Sequence, residues 1–492
     1  MDERSAAEVA SLCGADLLGD ASRMVGPDVV IDSRAVTPGA LFAALPGEHA
    51  DGHRFAAAAV ANGAAAVLVA RPVDADVPQL VVGDVTTALS ALAAGVVAQA
   101  RARGLRVIGV TGSNGKTSTK DLLAAVLEPH APTVAPAGSF NNEIGAPLTA
   151  LRVGADTRFL VSELGSRGPG HIADLCRIVA PDVGVVVNVG HAHIGEFGSL
   201  AAVARAKGEL VEALGADGWA VLNADDELVT AMRARTGARI AAFSAVAEPS
   251  FGDLRVWAGP ARPDDGQRFG FALQAAGAVD GRASAQLRVA GRHQVVNALA
   301  AAAAALACGV EIRAVARALS AAAPRSRWRM ELGSAPDGMW VVNDAYNANP
   351  DSMRAALATV ARMAASRRAG TPDARAVAVL GDMLELGETS ARMHYETGSF
   401  AAGLGIEVIA LGEHAGDTVA GARSAGGTAR VARTDEVPQL LALGPGDVVV
   451  LKASRGLGLP VDELDRCGLG LERLVDAIVA GVAADEGGGS DR

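Results

Sequence analysis

Lysine is almost absent from this chain of 492 residues. Only four of its 44 basic residues are lysine, namely Lys116, Lys120, Lys207 and Lys452, and the rest are arginine. Arginine can replace lysine wherever a solvated positive charge suffices, but it cannot supply a compact ammonium or an amine that changes its chemistry. The four lysines are therefore candidates for roles that arginine cannot fill.

The chain also has few cysteines, a negative net charge and no long lipophilic run. The four cysteines lie far apart without a C-x-x-C pair, which indicates isolated reduced thiols and neither a zinc site nor a disulfide framework. A formal net charge of −11 argues against nucleic-acid binding, which needs a basic surface. No apolar run, the alanine stretch 298–307 included, favours a membrane span, and the charged N-terminus is unlike a signal peptide. We therefore predict a cytoplasmic protein.

The length and the apolar pattern predict three α/β units. Residues 1–98 contain short strand candidates at 29–34, 40–45, 65–70 and 78–83. Residues 99–323 alternate apolar strands with helical segments, the pattern of a parallel sheet covered on both faces, and residues 324–492 predict a second, Rossmann-like parallel sheet. The tail from about residue 484 is expected to be disordered. Polar residues after the strands should converge on one crevice, because ligands bind at the carboxyl ends of such strands.

The segment GVTGSNGKTSTKD, residues 109–121, is a phosphate-binding loop with altered spacing. The ordinary pattern G-x-x-x-x-G-K-[ST] would require glycine where Val110 stands. The segment still places a glycine turn between an apolar strand and a helix whose first turn carries Lys116 and Thr117. Backbone N–H groups and the helix dipole favour phosphate there, Lys116 can neutralise phosphate oxygens, and Thr117 can bind Mg²⁺. The alternative is a strand-to-helix turn with an incidental lysine.

Candidate metal ligands follow two further strands and lie on one helix. Glu163 ends the strand TRFLVSEL, where it is either a Mg²⁺ ligand or an ordinary strand-end charge. His191 and His193 in NVGHAHIGEFGS lack partners at zinc spacing; one of them could contact Mg²⁺, or both could be surface histidines. Lys207 is either a phosphate-binding or exposed lysine, or an amine that reacts with CO₂ to form a carbamate.

Polar side chains also mark a later helix and the third unit. His293 and Asn297 in GRHQVVNALA lie one helical turn apart on one face, where they could hold a base or ribose or simply begin a helix. The segments SRWRMEL, NDAYNANPDSM and LKASRGLG carry asparagines, Asp344 and Lys452. These groups would be costly to bury without partners, so we expect them in a polar crevice.

Together these segments are similar to the Mur ligases of peptidoglycan synthesis, within the ATP-dependent amide ligases that include folylpolyglutamate synthase. TGSNGKT is the form that the phosphate loop takes in that superfamily. Five segments resemble the branch of the family that adds D-alanyl-D-alanine: DSRAVTPGALFAALPGEHADGHRF, SFNNEIGAPLTAL, NVGHAHIGEFGSLAAVARAKGEL, DAYNANPDSMRAAL and VAVLGDMLELG. The similarity spans nearly the whole chain.

The resemblance implies a role for each candidate residue. The implied catalytic residues are Lys116, Glu163, His193 and Lys207. The implied Mg²⁺ ligands are Thr117, Glu163, His193 and, if carbamylated, Lys207. ATP is expected at Thr111, Gly112, Ser113, Asn114, Gly115, Lys116, Thr117, Ser118, His293, Asn297, Arg329 and Asp344. The muramoyl-peptide substrate is expected at Ser33, Arg34, Asn141, Asn142, Tyr346, Asn347, Lys452 and Arg455, with its uridine nucleotide held by Ser33, Arg34 and the GEHADGH segment of the first unit.

The implied reaction joins D-Ala-D-Ala to the terminal carboxylate of UDP-MurNAc-tripeptide, with ATP converted to ADP and phosphate. A carboxylate is a poor electrophile because it would have to expel oxide. Transfer of the γ-phosphoryl group gives an acyl phosphate with a good leaving group, which the free amine of the dipeptide then attacks. We expect a monomer, and the sequence leaves open whether diaminopimelate or lysine is the third residue of the tripeptide.

Three alternatives explain less of the sequence. The ligase that adds the third residue would carry a D-N-P-R type motif, which is not seen, whereas LGDMLELG is present. A folylpolyglutamate synthase would leave the first unit unexplained. A P-loop ATPase that binds a partner protein would explain the phosphate loop but not DAYNANPDSM.

Overall fold

The computed structural model describes residues 1–47, 50–192, 194–334, 338–441 and 443–454. His193, Arg455 and the tail from residue 484 lie outside these ranges, as do Cys467 and two residues of the GEHADGH segment. Cys13, Cys176 and Cys308 are free thiols, as predicted.

The first unit contains a five-stranded sheet and a separate two-stranded ribbon. Its strands are β1 (Arg4–Ser5), β2 (Asp16–Leu18), β3 (Met24–Val25), β4 (Val29–Val30), β5 (Leu41–Ala43), β6 (Ala66–Val69) and β7 (Gln79–Val81), and its helices are α1 (Ala6–Cys13), α2 (Ala56–Ala61) and α3 (Val85–Ala102). The sheet order is β2-β7-β6-β5-β4, with only β2 antiparallel, and β1 pairs with β3. The four strand predictions fall on β4 to β7.

The predicted strand at 29–34 is too long. The chain leaves the sheet after Val30 and forms a 3₁₀ turn at Ser33–Ala35. The carboxylate of Asp32 accepts the backbone N–H of Arg34 at 2.9 Å, and this side-chain contact stabilises the turn in competition with the strand.

Helix α3 connects the first unit to the central unit. Asp84 caps its first turn by accepting the N–H of Thr87 at 2.7 Å. By length and composition alone α3 is apolar enough to cross a membrane. Leu89, Leu92 and Val96 are nevertheless buried, and α3 packs against α1 and two helices of the central unit. It is therefore a core helix, and the predicted boundary at residue 98 falls within it.

The central unit is a ten-stranded sheet with helices on both faces. Its strands are β8 (Arg106–Thr111), β9 (Thr133–Val134), β10 (Phe159–Glu163), β11 (Val183–Val186), β12 (Trp219–Asn223), β13 (Arg239–Ser244), β14 (Leu254–Ala258), β15 (Arg262–Pro263), β16 (Arg268–Gly277) and β17 (Gly281–Ala290). Its helices are α4 (Lys116–Leu127), α5 (Gly145–Ala150), α6 (His171–Val179), α7 (Ile194–Phe197), α8 (Leu200–Glu212), α9 (Glu227–Thr230), α10 (His293–Ala307) and α11 (Ile312–Ala321).

The parallel sheet predicted for this unit accounts for seven of its strands. They run in the order β9-β10-β8-β11-β12-β13-β14, and β16 with its neighbours β15 and β17 extends the sheet antiparallel. Strand β10 is buried along its whole length, as a strand covered on both faces must be. In β16, by contrast, buried Phe269, Phe271 and Leu273 alternate with more accessible residues, so only one face is covered. The antiparallel extension was not predicted.

In its described residues, the third unit contains a six-stranded sheet in the order β18-β19-β23-β20-β21-β22, in which only the edge strand β18 is antiparallel. Its strands are β18 (Glu331–Ser334), β19 (Trp340–Asn343), β20 (Ala376–Leu380), β21 (Glu407–Ala410), β22 (Ala429–Val431) and β23 (Val448–Lys452). Its helices are α12 (Pro350–Arg367), α13 (Ser390–Gly403), α14 (Ala415–Ser424) and α15 (Val437–Leu441). The predicted three-unit α/β fold is confirmed, while the boundaries at 98 and 323 stay predictions.

Candidate active site

A cavity of about 1360 Å³ lies between the carboxyl ends of the central strands and the third unit, and we call it the site cavity. The segments that follow the neighbouring strands β10, β8 and β11 all line it. Seventeen predicted site residues line it: Ser113, Asn114, Gly115, Lys116, Thr117, Ser118, Asn141, Asn142, Glu163, Lys207, His293, Asn297, Arg329, Asp344, Tyr346, Asn347 and Lys452.

Six predicted site residues are placed elsewhere or lie outside the described ranges. Thr111 and Gly112 belong to the phosphate loop but do not line the cavity, and the buried Thr111 hydroxyl donates to the carbonyl of Leu164 at 2.9 Å. Ser33 and Arg34 are remote from the site cavity. Arg34 is exposed and pairs with Asp32 at 2.8 Å. Asp32 and Ala35, which flank Ser33 and Arg34 in the sequence, line a second cavity of about 790 Å³ between the first and central units. His193 and Arg455 are the two that lie outside the described residues.

The phosphate loop ends at Gly115, which begins helix α4. Gly115 has φ +78°, and a Cβ at this position would lie 2.2 Å from Oδ1 of Asn297. Only glycine satisfies both the left-handed backbone and the close contact. No side chain caps α4, so the first N–H groups of the helix remain for an anion. The backbone here fits a phosphate group.

Lys116 folds back onto the loop that precedes it. Its ammonium donates to the carbonyl oxygen of Gly112 at 2.7 Å and to that of Ser113 at 3.5 Å. Burial lowers the pKa of this amine, and the negative charge of Glu163 opposes that shift. A phosphate oxygen is a stronger acceptor for an ammonium than a peptide carbonyl, so the ammonium can exchange these partners for a nucleotide.

Glu163 presents one unpartnered carboxylate oxygen. Its Oε1 accepts from Nδ2 of Asn141 at 2.8 Å, whereas its Oε2 is buried and has no hydrogen-bond partner among the described residues. Mg²⁺ takes oxygen ligands and is commonly held by one or two carboxylates together with phosphate and water. Within the described part of the chain, His, Cys, Asp and Glu side chains form no group of three that could hold a metal. Glu163 and the nearby hydroxyl of Thr117 therefore fit a cation that takes its other ligands from the nucleotide and water.

Lys207 is buried on helix α8 and lines the site cavity. Its ammonium has no hydrogen bond or ion pair among the residues that the structure describes. Burial, followed by the positive charge of Lys116, lowers the pKa of Lys207 well below its usual value. The neutral amine, which is the form that reacts with CO₂, is thereby favoured.

The third unit contributes an ordered set of charges to the opposite wall. Nζ of Lys452 lies 2.5 Å from Oδ2 of Asp344 and donates to the carbonyl of Asn347 at 2.9 Å. Asp344 also accepts the N–H of Met330 at 3.0 Å through Oδ1. The buried Lys452 is thus fully paired, as the cost of burying a charge requires.

Arg329 connects this wall to the phosphate loop. Its Nη2 donates to the hydroxyl of Thr117 at 3.1 Å, and its guanidinium carbon lies 4.0 Å from the ring centroid of Tyr346. Trp328 and Met330, on either side, have φ of 61° and 51°. Non-glycine residues in this region are uncommon and cluster at functional sites. Arg329 thus contacts the phosphate loop through Thr117, and its role towards ATP stays a prediction.

His293 and Asn297 both line the site cavity, at the start of helix α10. Burial lowers the pKa of His293, against the opposing effect of Asp344. Asn297 donates to Gln294 at 2.9 Å and accepts from the Thr119 hydroxyl at 3.5 Å. Asn297 thus supports the phosphate loop from below.

Several residues of the cavity wall were not predicted. Asn188, after β11, fixes the loop through two hydrogen bonds: its Oδ1 accepts the N–H of Asn114 at 2.8 Å and its Nδ2 donates to the Asn114 carbonyl at 3.0 Å. Asn349, one of the asparagines expected in a polar crevice, lines the cavity at the start of α12, and the unpredicted Asp351 and Glu385 line it as well. The pattern N-P-D-S could have indicated a helix start, but nothing local to the sequence indicates contact with the loop.

A helix start that fits phosphate, beside a carboxylate that fits a cation, suits phosphoryl transfer from a nucleotide. Similarity to known families shows that the chain is an ATP-dependent ligase, and it belongs to the Mur ligase family. The family model for the Mur ligase middle domain matches residues 110–305. The model described as Mur ligase, glutamate ligase domain matches residues 328–455, and the Mur ligase family catalytic domain matches residues 28–116.

Within the family, the chain is similar to enzymes named UDP-N-acetylmuramoyl-tripeptide–D-alanyl-D-alanine ligase. It is 45% identical to that of Mycobacterium tuberculosis over 519 aligned positions, covering 95% of this chain and 99% of the relative. It is 38% identical to the enzyme of that name from Escherichia coli, covering 83% of this chain and 85% of the relative.

Solved structures lead to the same branch of the family. A structure of MurF from Acinetobacter baumannii superposes with a TM-score of 0.82 at 30% identity, covering 97% of this chain and 99% of that one. A structure of MurF from Thermotoga maritima in complex with ADP superposes with a TM-score of 0.73 at 25% identity, covering 92% of this chain and 98% of that one.

Proposed function

We propose that this chain joins D-Ala-D-Ala to the terminal carboxylate of UDP-MurNAc-tripeptide at the expense of ATP. The observation that carries the proposal is the buried Glu163 carboxylate, half-partnered and in one cavity with an uncapped phosphate loop. The near-full-length similarity to ligases of that name supports the choice of substrates. Diaminopimelate and lysine stay open as the third residue of the tripeptide.

Bound ATP supplies the γ-phosphoryl group that converts the substrate carboxylate into an acyl phosphate. The first N–H groups of α4 and the ammonium of Lys116 hold phosphate oxygens and neutralise their charge during transfer. Thr117 and Glu163 would hold Mg²⁺, together with the predicted ligands His193 and, if it is carbamylated, Lys207, and the cation would neutralise charge on the phosphates. Arg329 lies where it can stabilise negative charge at the loop. These assignments rest on the contacts of the loop and on the oxygen chemistry that Mg²⁺ prefers.

Two cavities suit a long substrate with a nucleotide at one end and a peptide at the other. The uridine nucleotide lies at the first unit, near Ser33 and Arg34, where the second cavity opens. The peptide lies along the site cavity, near Asn141, Asn142, Tyr346, Asn347 and Lys452. Arg455, which lies outside the described residues, stays a predicted contact. The enclosing third unit restricts access of water to the acyl phosphate. The enzyme acts as a cytoplasmic monomer.

The test is an assay of phosphate release with ATP, Mg²⁺ and UDP-MurNAc-tripeptide. We expect release to depend on D-Ala-D-Ala and the product to be the pentapeptide. Release that depends on a single amino acid and UDP-MurNAc-dipeptide would favour the ligase that adds the third residue. Release with glutamate and a folate would favour a folylpolyglutamate synthase. Folded protein that releases no phosphate in response to the dipeptide would contradict the proposal.

A further inference from the structure

The start of helix α12 docks on the phosphate loop across the boundary between the central and third units. Asn349 is the N-cap of α12, and its Oδ1 accepts the N–H of Ser352 at 3.0 Å. Its Nδ2 points the other way and donates to Oδ1 of Asn114 in the phosphate loop at 2.7 Å. One buried side chain therefore begins a helix of the third unit and holds a loop of the central unit.

A second contact lies beside the first. The carboxylate of Asp351 accepts the backbone N–H of His191 at 2.8 Å and lies 3.2 Å from Nδ1 of the same residue. A Cβ at Gly190 would lie 2.4 Å from Asp351, so glycine is needed for this approach. The first turn of α12 thus touches the segment after β11 as well as the phosphate loop.

These two segments of the central unit are themselves joined. Asn188 holds the backbone of Asn114 on both its N–H and its carbonyl side. The hydroxyl of Ser113 donates to the carbonyl of Gly190 at 3.1 Å and accepts the Gly190 N–H at 2.8 Å. The phosphate loop and the segment after β11 therefore form one hydrogen-bonded unit, and its shape determines where the loop N–H groups point. If α12 is displaced, this unit loses the contact that Asn349 makes with Asn114.

We propose that Asn349 is a positioning residue that couples docking of the third unit to the shape of the phosphate loop. The loop binds the nucleotide phosphates tightly only when α12 is docked, and a bound nucleotide in turn favours docking, because such coupling is reciprocal. Asn349 needs no contact with the nucleotide for this role, which it exerts through Asn114. The inference rests on the proposed function in one respect, that the loop binds ATP.

Asn349→Ser separates the two tasks of the side chain. Serine is as good an N-cap as asparagine, so α12 keeps its first turn, but its shorter side chain cannot reach Asn114. We expect the dissociation constant of a non-hydrolysable ATP analogue, adenylyl imidodiphosphate with Mg²⁺, to rise about 3- to 10-fold, the range for loss of one hydrogen bond. In turnover, the KM for ATP should rise while the KM for UDP-MurNAc-tripeptide stays unchanged.

Ser352→Ala is the matched control, because it weakens the same helix start without removing the donor to Asn114. We expect Ser352→Ala to lower the melting temperature and to leave the affinity for the analogue as in the parent. A fall in affinity that follows the melting temperature in both variants would overturn the inference.

A double-mutant cycle tests the route through Asn114. If Asn349 acts through that residue, Asn114→Ala combined with Asn349→Ser binds the analogue as Asn114→Ala does alone. Additive effects, or parental affinity in Asn349→Ser, would overturn the inference. Because binding is measured without an acceptor, the two failures are distinguishable: a parent that does not bind the analogue contradicts the ATP site itself.

Discussion

Asn141 holds only one oxygen of the Glu163 carboxylate. Nδ2 of Asn141 donates to Oε1 at 2.8 Å, and Oε2 of the same carboxylate is buried without a hydrogen bond to any part of the chain that the structure describes. A buried carboxylate oxygen is costly to leave unpartnered, so such an atom in a cavity indicates a ligand. Glu163 ends β10, next to the phosphate loop that follows β8, and this position indicates that the ligand is a cation associated with phosphate.

Glu163→Gln should remove the cation site and keep the contact with Asn141. The amide has the shape of the carboxylate but carries no charge, and its NH₂ group cannot bind a metal ion. We expect turnover to fall about 100-fold or more, as for loss of one transition-state charge contact. The melting temperature should stay the same or rise, because a buried charge is removed. Turnover within a few-fold of the parent would contradict the assignment.

Lys116 should be irreplaceable by alanine and by arginine. Lys116→Ala removes the ammonium that faces the phosphates, and we expect turnover to fall about 1000-fold with the fold intact. Lys116→Arg keeps the charge, but a planar guanidinium cannot occupy the site of a compact ammonium held by two loop carbonyls. We expect Lys116→Arg to recover little of the turnover that Lys116→Ala loses. Circular dichroism and the melting temperature provide the control for folding, and substantial activity in the arginine variant would contradict this account.

Turnover should depend on CO₂ if Lys207 forms a carbamate. In that reaction the neutral amine nitrogen bonds to the carbon of CO₂ and releases one proton, so a neutral group becomes an anion. We expect activity to fall in CO₂-depleted buffer and to return with bicarbonate, and intact mass spectrometry under native conditions to show one added CO₂. Lys207→Met should lack both effects. Full activity in CO₂-free buffer would argue that Lys207 acts as a simple amine.

Acid should destabilise the third unit through His394. Its ring is buried: Nε2 accepts the N–H of Met383 at 2.9 Å and Nδ1 donates to the carbonyl of Ser390 at 2.8 Å. This arrangement requires the neutral ring, and burial lowers the pKa of His394 below its usual 6.5. Between the lowered pKa and 6.5 the unfolded chain binds more protons than the folded one, so the free energy of unfolding falls as pH falls through that window.

Chemical denaturation between pH 7 and pH 5 measures this dependence. His394→Gln cannot be protonated, so its free energy of unfolding should fall less steeply with acid than that of the parent. Parallel pH profiles for the two proteins would contradict the assignment to His394.

The sequence is sufficient to predict the parts of the site that are local. A strand, a glycine turn and a helix carrying Lys116 are contiguous in the chain, and Glu163 ends the neighbouring strand, so parallel pairing brings them together. The antiparallel extension was not predicted, because the alternating burial of β16 is weaker evidence than an apolar run. The predicted length of the strand at Val29 was wrong because an Asp side chain favoured a turn.

Contacts between units could not be predicted in the same way. Asn114 and Asn349 are 235 residues apart, and each also fits a purely local explanation, in a loop and at a helix N-cap. Their contact depends on how two sheets pack, which the pattern of either unit alone does not determine. The same reasoning applies to Arg329 and Thr117, for which similarity to a family, rather than spacing, suggested a common site.

The most direct test of the central claim follows an oxygen atom. UDP-MurNAc-tripeptide labelled with ¹⁸O in its terminal carboxylate is supplied with ATP, Mg²⁺ and D-Ala-D-Ala, and the released phosphate is analysed by mass spectrometry. If the carboxylate is activated as an acyl phosphate, one ¹⁸O atom from it appears in each phosphate. Unlabelled phosphate formed together with the pentapeptide would contradict activation of the carboxylate by phosphoryl transfer.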